Sequence, residues 1–134
     1  MNRTASILIA LLAMMLTACS PPPTDEEVVA ERSQARWDAL VTNDFEGSYA
    51  YQSPAYRQET TPTEHIVGLS RRRITWTSAE VTDVACDEGR CEVTINVGYR
   101  ADGAPGALSG MENARPVREI WVRLDDQWWY SDSA

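Results

Sequence analysis

Cys91-Glu92-Val93-Thr94-Ile95-Asn96-Val97-Gly98-Tyr99 puts Cys91, Val93, Ile95, Val97 and Tyr99 on one side of an extended chain and leaves polar or small residues on the other. Alternation of this kind marks a half-buried strand. Before it, Trp76 to Cys86 reads as a partner strand, and Asp87-Glu88-Gly89-Arg90 reads as the loop of a hairpin. Cys86 and Cys91 then stand opposite each other at bridging distance, and a disulfide is expected in an oxidising compartment. Redox-active pairs usually have a two-residue spacer at a helix start, and this pair has neither feature.

Downstream, Gly103, Pro105, Gly106, Gly110 and Pro116 mark residues 101–116 as a loop. Val117 to Leu124 reads as a third strand, with Ile120, Val122 and Leu124 on one side and Trp121 on the other. Asp125-Asp126 turns the chain into a last strand, Gln127 to Ser131.

Upstream of Arg73 the period is helical. Thr24-Asp25-Glu26-Glu27 opens a helix with a capping box and an acidic first turn. Val29, Ser33, Trp37, Leu40 and Val41 share one face of it, and Asn43 suits a left-handed end. Asp44 caps a short helix carrying Phe45 and Tyr49, and Ser53-Pro54 marks a further short start. Thr61-Pro62-Thr63-Glu64 opens another helix, with Ile66 and Leu69 on one face. Helices followed by a meandering antiparallel sheet define an α+β class, the helices packing on one face of a curved sheet.

Composition excludes several chemistries. The 134 residues carry 12 Lys plus Arg, every one an Arg, against 20 Asp plus Glu, for a net charge of -8. Without Lys there is neither Schiff-base chemistry nor a P-loop. The acidic balance argues against nucleic acid as a partner. One His and three Cys leave little material for a metal site, and no cofactor is implied.

The N-terminus reads as an address. Asn2-Arg3 precedes the apolar run Ile7 to Leu16, which is too short to span a bilayer and fits a secretory signal. Leu16-Thr17-Ala18-Cys19 resembles a bacterial lipoprotein lipobox. That resemblance implies cleavage after residue 18, acylation of Cys19, and an anchor in the cell envelope. An Asp after the Cys would imply inner-membrane retention in enterobacterial lipoproteins. Ser20 stands there instead, which implies the outer membrane, with the domain facing the periplasm. Residues 19–23, with Pro21-Pro22-Pro23, form an extended tether, and residues 24–134 form one domain.

Trp37-Asp38-Ala39-Leu40, Asp44-Phe45, Ser53-Pro54-Ala55-Tyr56-Arg57 and Gln127-Trp128-Trp129 together resemble the packing signatures of the NTF2-like cone, also called the SnoaL-like or ketosteroid-isomerase-like fold. A cystatin-like α+β sheet is the nearest alternative. Together with the lipobox-like motif, the resemblance implies a lipid-anchored, non-enzymatic protein that binds a small apolar ligand in the cone, or a protein partner or second copy through the sheet. The alternatives are a hydratase or isomerase working by general acid–base catalysis, and an accessory envelope lipoprotein with no ligand.

Trp37, Tyr49, Tyr56, Trp76, Tyr99, Trp121, Trp128 and Trp129 are the candidate pocket or interface residues, with core packing as the plainer role. Trp128 and Trp129 are adjacent on a strand and must face opposite ways. Arg71, Arg72 and Arg73 could meet an anionic partner, although cations at a helix C-terminus also complement its dipole. Cone enzymes imply an internal Asp or His as base. His65 is the obvious candidate, but beside Glu64 near a helix start it reads as a solvated residue. Glu80 and Asp83 lie on the first strand, where one could face inward as a buried base, with a polar outward face as the plainer role.

Overall fold

Thr24 accepts from the Glu27 amide while the Glu27 carboxylate accepts from the Thr24 amide, and this capping box starts α1 (Asp25–Val41). The computed structural model describes residues 21–103, 106 and 110–131. The expected signal sequence, Cys19 and part of the 101–116 loop lie outside the described residues. α1 ends before Asn43, which takes a positive φ of 60°. Asp44 caps α2 (Phe45–Tyr49), Ser53 caps α3 (Pro54–Glu59) with Pro54 in its first turn, and a second capping box, Thr61 with Glu64, starts α4 (Pro62–Ser70). Among the described residues no helix is long and apolar enough to cross a membrane.

After α4 come β1 (Ile74–Asp87), β2 (Arg90–Ala101), β3 (Glu112–Leu124) and β4 (Gln127–Ser131), paired in the order β1-β2-β3-β4, each neighbour antiparallel. The alternation that began at Cys91 holds as far as Val97: Cys91, Val93, Ile95 and Val97 are all buried. They meet Val29, Trp37 and Leu40 of α1, with Trp121 and Trp128 completing the core. The helices therefore cover one face of a curved sheet, as an α+β cone requires.

Register shifts in β1 at Trp76/Ser78 and Val81/Asp83 let the strand bend around α1. Both outer strands are covered along part of their edges. The Gln34 side chain of α1 donates to the Ala79 carbonyl and accepts from the Val81 amide, each at 3.0 Å. At the other edge the Tyr130 amide donates to the Tyr51 carbonyl and the Ser53 amide to the Tyr130 carbonyl. These bonds cover part of each outer edge.

The sheet corrects the loop expected over residues 101–116, because β3 begins at Glu112. Pro116 lies within it, opposite Asn96. β4 pairs only with Ile120–Leu124, so β3 has an open side at Pro116, where a residue lacking an N–H is tolerated.

Candidate functional site

The cone is open. A cavity of about 410 Å³ lies between α1, α4 and the concave face of the sheet. Each wall follows from local periodicity. Arg36, Trp37 and Leu40 project from α1 at helical spacing; His65 and Leu69 are one turn apart on α4; Val97 and Tyr99 alternate along β2.

The floor is polar. Arg36 donates to Glu119 Oε1 at 2.5 Å, and Glu119 Oε2 accepts from Ser33 Oγ at 3.0 Å and Trp121 Nε1 at 3.2 Å. The Arg36 guanidinium also lies 3.6 Å from the Tyr130 ring centroid. Arg36, Ser33, Trp121 and Glu119 are buried, Glu119 being only 3% exposed. A buried carboxylate persists only when its oxygens are met by donors, and here both are.

His65 is buried, which corrects the reading of it as a solvated helical residue. The inward face of α4 carries His65 four residues before Leu69, and α2 and α3 supply the partners that make burial tolerable. Nε2 lies 3.0 Å from Ser48 Oγ, and Nδ1 lies 3.0 Å from the Tyr56 hydroxyl. Ser48 donates its one hydroxyl hydrogen to the Phe45 carbonyl at 2.8 Å, so it accepts from His65 Nε2–H. Burial favours the neutral ring, in which Tyr56 donates to Nδ1. Burial first, then the Arg36 and Arg72 charges, hold its pKa below the usual histidine value.

Of the eight aromatic candidates, Trp37, Tyr56, Trp76 and Tyr99 line the cavity. Tyr49 packs on His65 and donates its hydroxyl to the Thr60 carbonyl. Trp121 and Trp128 belong to the core. Trp129, on the opposite face of β4, is half-buried with the Arg57 guanidinium 4.5 Å from its ring centroid. The arginine triplet is exposed, and of its three members Arg72 alone lines the cavity. Glu80 and Asp83 are exposed and stand away from it.

Sequence reasoning missed Arg36, Gln52, Arg115 and Glu119, all of which line the cavity. Two carried a signal. Arg36 follows Ser33 by three residues on the buried face of α1, and Glu119 precedes Trp121 by two on β3. Cys86 and Cys91 are disulfide-bonded across the tip of the β1–β2 hairpin. No three His, Cys, Asp or Glu side chains come together as a metal site among the described residues.

No protein-family model and no curated protein sequence matches the chain. Solved structures do. An NTF2-like protein from Cytophaga hutchinsonii superposes with a TM-score of 0.57 at 13% identity, over 81% of this chain and 93% of that one. A protein of the NTF2-like family from Streptomyces avermitilis gives 0.54 at 18% identity, again over 81% and 93%. A SEC-C motif containing protein from Psychrobacter arcticus gives 0.59 at 12% identity over 84% of this chain, which spans only 63% of that protein's length. At these identities the likeness is one of fold. The fold is the NTF2-like α+β cone, and the neighbours support it over the cystatin-like alternative.

Proposed function

We propose that the chain is a lipid-anchored envelope protein whose cone binds a small apolar molecule, without transforming it. The binding reading is carried by one observation: the cavity is open, yet its internal titratable groups are already committed. Glu119 receives three donors, and His65 uses both ring nitrogens on Ser48 and Tyr56. A general base needs a lone pair free to reach substrate. The apolar part of the wall, Trp37, Leu40, Leu69, Trp76 and Val97, suits a hydrocarbon or ring system.

The anchor rests on the lipobox-like Leu16-Thr17-Ala18-Cys19 and on the exposed Pro21-Pro22-Pro23 ahead of α1. A disulfide also suits an exported protein. In this reading the domain faces the periplasm from the outer membrane.

Native mass spectrometry of the full chain, extracted from membranes in mild detergent, tests the binding. A co-purifying small molecule that is lost in Leu69→Trp, a substitution that fills the cavity, is the expected result. A bare chain that releases no small molecule on denaturation counts against it. Membrane fractionation of Cys19→Ala tests the anchor: an unchanged partition into detergent would remove it.

One contact favours a second reading. The Tyr56 hydroxyl and His65 Nδ1, 3.0 Å apart in the cavity wall, form a pair through which a proton could pass to a bound ligand, as in a hydratase or isomerase. Turnover abolished by Tyr56→Phe, with ligand binding retained, would establish it.

A further inference from the structure

We infer that the cavity selects a small organic anion with an apolar body, its charge held at the mouth by Arg72 and Arg115. This rests on the binding reading above and names its ligand class.

The charges of the wall do not cancel there. Arg36 is neutralised by Glu119 on the floor. Arg118 stands opposite Thr94, on the outer face of the sheet, and pairs with Glu92 at 3.5 Å. Glu64 Oε2 accepts from the Thr61 amide and hydroxyl, both at 2.8 Å, which fixes this carboxylate at the start of α4 and leaves it one negative charge against two arginines. Arg72 and Arg115 remain, and neither meets a carboxylate among the described residues. In a chain of net charge -8 two such guanidiniums at one opening are a local reversal of sign.

Their placement is specific. Arg72 follows the end of α4 and its guanidinium lies 5.7 Å from the Trp76 ring centroid. Arg115 comes from β3, on the concave face, and lies 5.7 Å from the Tyr99 ring centroid. Trp76 and Tyr99 are direct cross-strand partners on β1 and β2. Two elements distant in sequence therefore bring their cations over one aromatic pair. The rings offer an apolar wall at the mouth for the ligand body, beside guanidinium groups that can meet a carboxylate, sulfonate or phosphate.

A second polar feature lies deeper. Gln52, 3% exposed, lines the cavity, and its Oε1 accepts no hydrogen bond from the described residues. Buried acceptors are normally paired, so this atom is placed for a ligand donor at the inner end. The ligand is then charged at the mouth, apolar along its length, and able to carry a hydroxyl or amide inside.

Calorimetric titration of the full chain in detergent, blanked against empty micelles, with 2-naphthoate and the isosteric uncharged 2-naphthamide, separates charge from shape. Naphthoate should bind at least about tenfold tighter than the amide, and the margin should shrink at high salt. Arg72→Gln/Arg115→Gln should bring the two probes within about twofold of each other. Both arginines are solvent-facing, so that variant folds. Equal binding of the two probes to the unaltered chain would overturn the anion inference and leave the binding reading standing. Binding of neither probe would remove both.

Discussion

Arg36 and Glu119, 83 residues apart in the chain, meet at 2.5 Å as a buried ion pair that ties α1 to β3 beneath the cavity. Desolvating two charges is costly, so such a pair is not by itself a source of stability. Removing one partner is a different matter, because it strands the other. Glu119→Ala would leave Arg36 buried without its counter-ion and would take the acceptor from Ser33 and Trp121. Urea unfolding should show a loss of about 3–5 kcal/mol. Glu92→Ala, which breaks only the exposed pair with Arg118, should cost less than about 1 kcal/mol. Comparable losses in the two variants would mean that the floor is wet.

His65 gives stability a pH dependence of predictable sign. Its folded pKa is lowered by burial and by the Arg36 and Arg72 charges, while the unfolded chain titrates near about 6.5. Below that value the unfolded chain takes up a proton that the folded chain resists. The stability is therefore full above about pH 6.5 and is lost as pH falls through the lower, folded value. Protonation also removes the lone pair to which Tyr56 donates. The melting temperature should drop between about pH 7.5 and about pH 5.5, a window above most carboxylate titration. His65 is the chain's single histidine, so His65→Gln should flatten the profile over that window. A profile equally steep in the variant would assign the effect to another group.

The fold was legible because its signals are local. Capping boxes at Thr24 and Thr61, the alternation from Cys91 to Tyr99 and the turn at Asp125-Asp126 each act within a few residues. Together they specify helices before a meander. The cavity was legible only in its aromatic half. Trp37, Trp76 and Tyr99 stand out as bulky residues at recognisable periods. Arg36 and Glu119 do not, because a charged residue on a buried face is tolerated only when its partner arrives from a remote element. Neither one's sequence neighbourhood contains the other. His65 was misplaced for the same reason. Its neighbour Glu64 suggested solvent, whereas Ser48 and Tyr56, which make its burial tolerable, lie on two other helices.

The hairpin tip is under avoidable backbone strain. Pairing runs to Asp87 and Arg90, so Glu88 and Gly89 alone make the turn, with φ of 45° and 80°. Two successive positive φ values fit a type I′ turn, for which Asn-Gly is the preferred sequence. Glu88 is the residue out of place, since a side chain in the left-handed region costs about 1–2 kcal/mol and Asn tolerates it better. Glu88→Asn should raise stability by about 0.5–1 kcal/mol in thermal or urea unfolding. Gly89→Ala should lower it. The reverse order would show that the turn is not held in this form.

The disulfide just beyond that turn acts on register as well as on chain entropy. Cys86 and Cys91 are five residues apart, and a loop this short is worth only about 2 kcal/mol in the chain-entropy model. Its position matters more than its length. Cys91 begins the buried row that continues through Val93, Ile95 and Val97. A slip of one residue would turn that row to solvent and bring Glu92, Thr94 and Asn96 against α1. Cys86→Ala/Cys91→Ala should therefore lower stability by about 2 kcal/mol, and hydrogen exchange should quicken along β1 and β2 more than in α1. Exchange that quickens evenly over the whole chain would reduce the bridge to a purely entropic clamp.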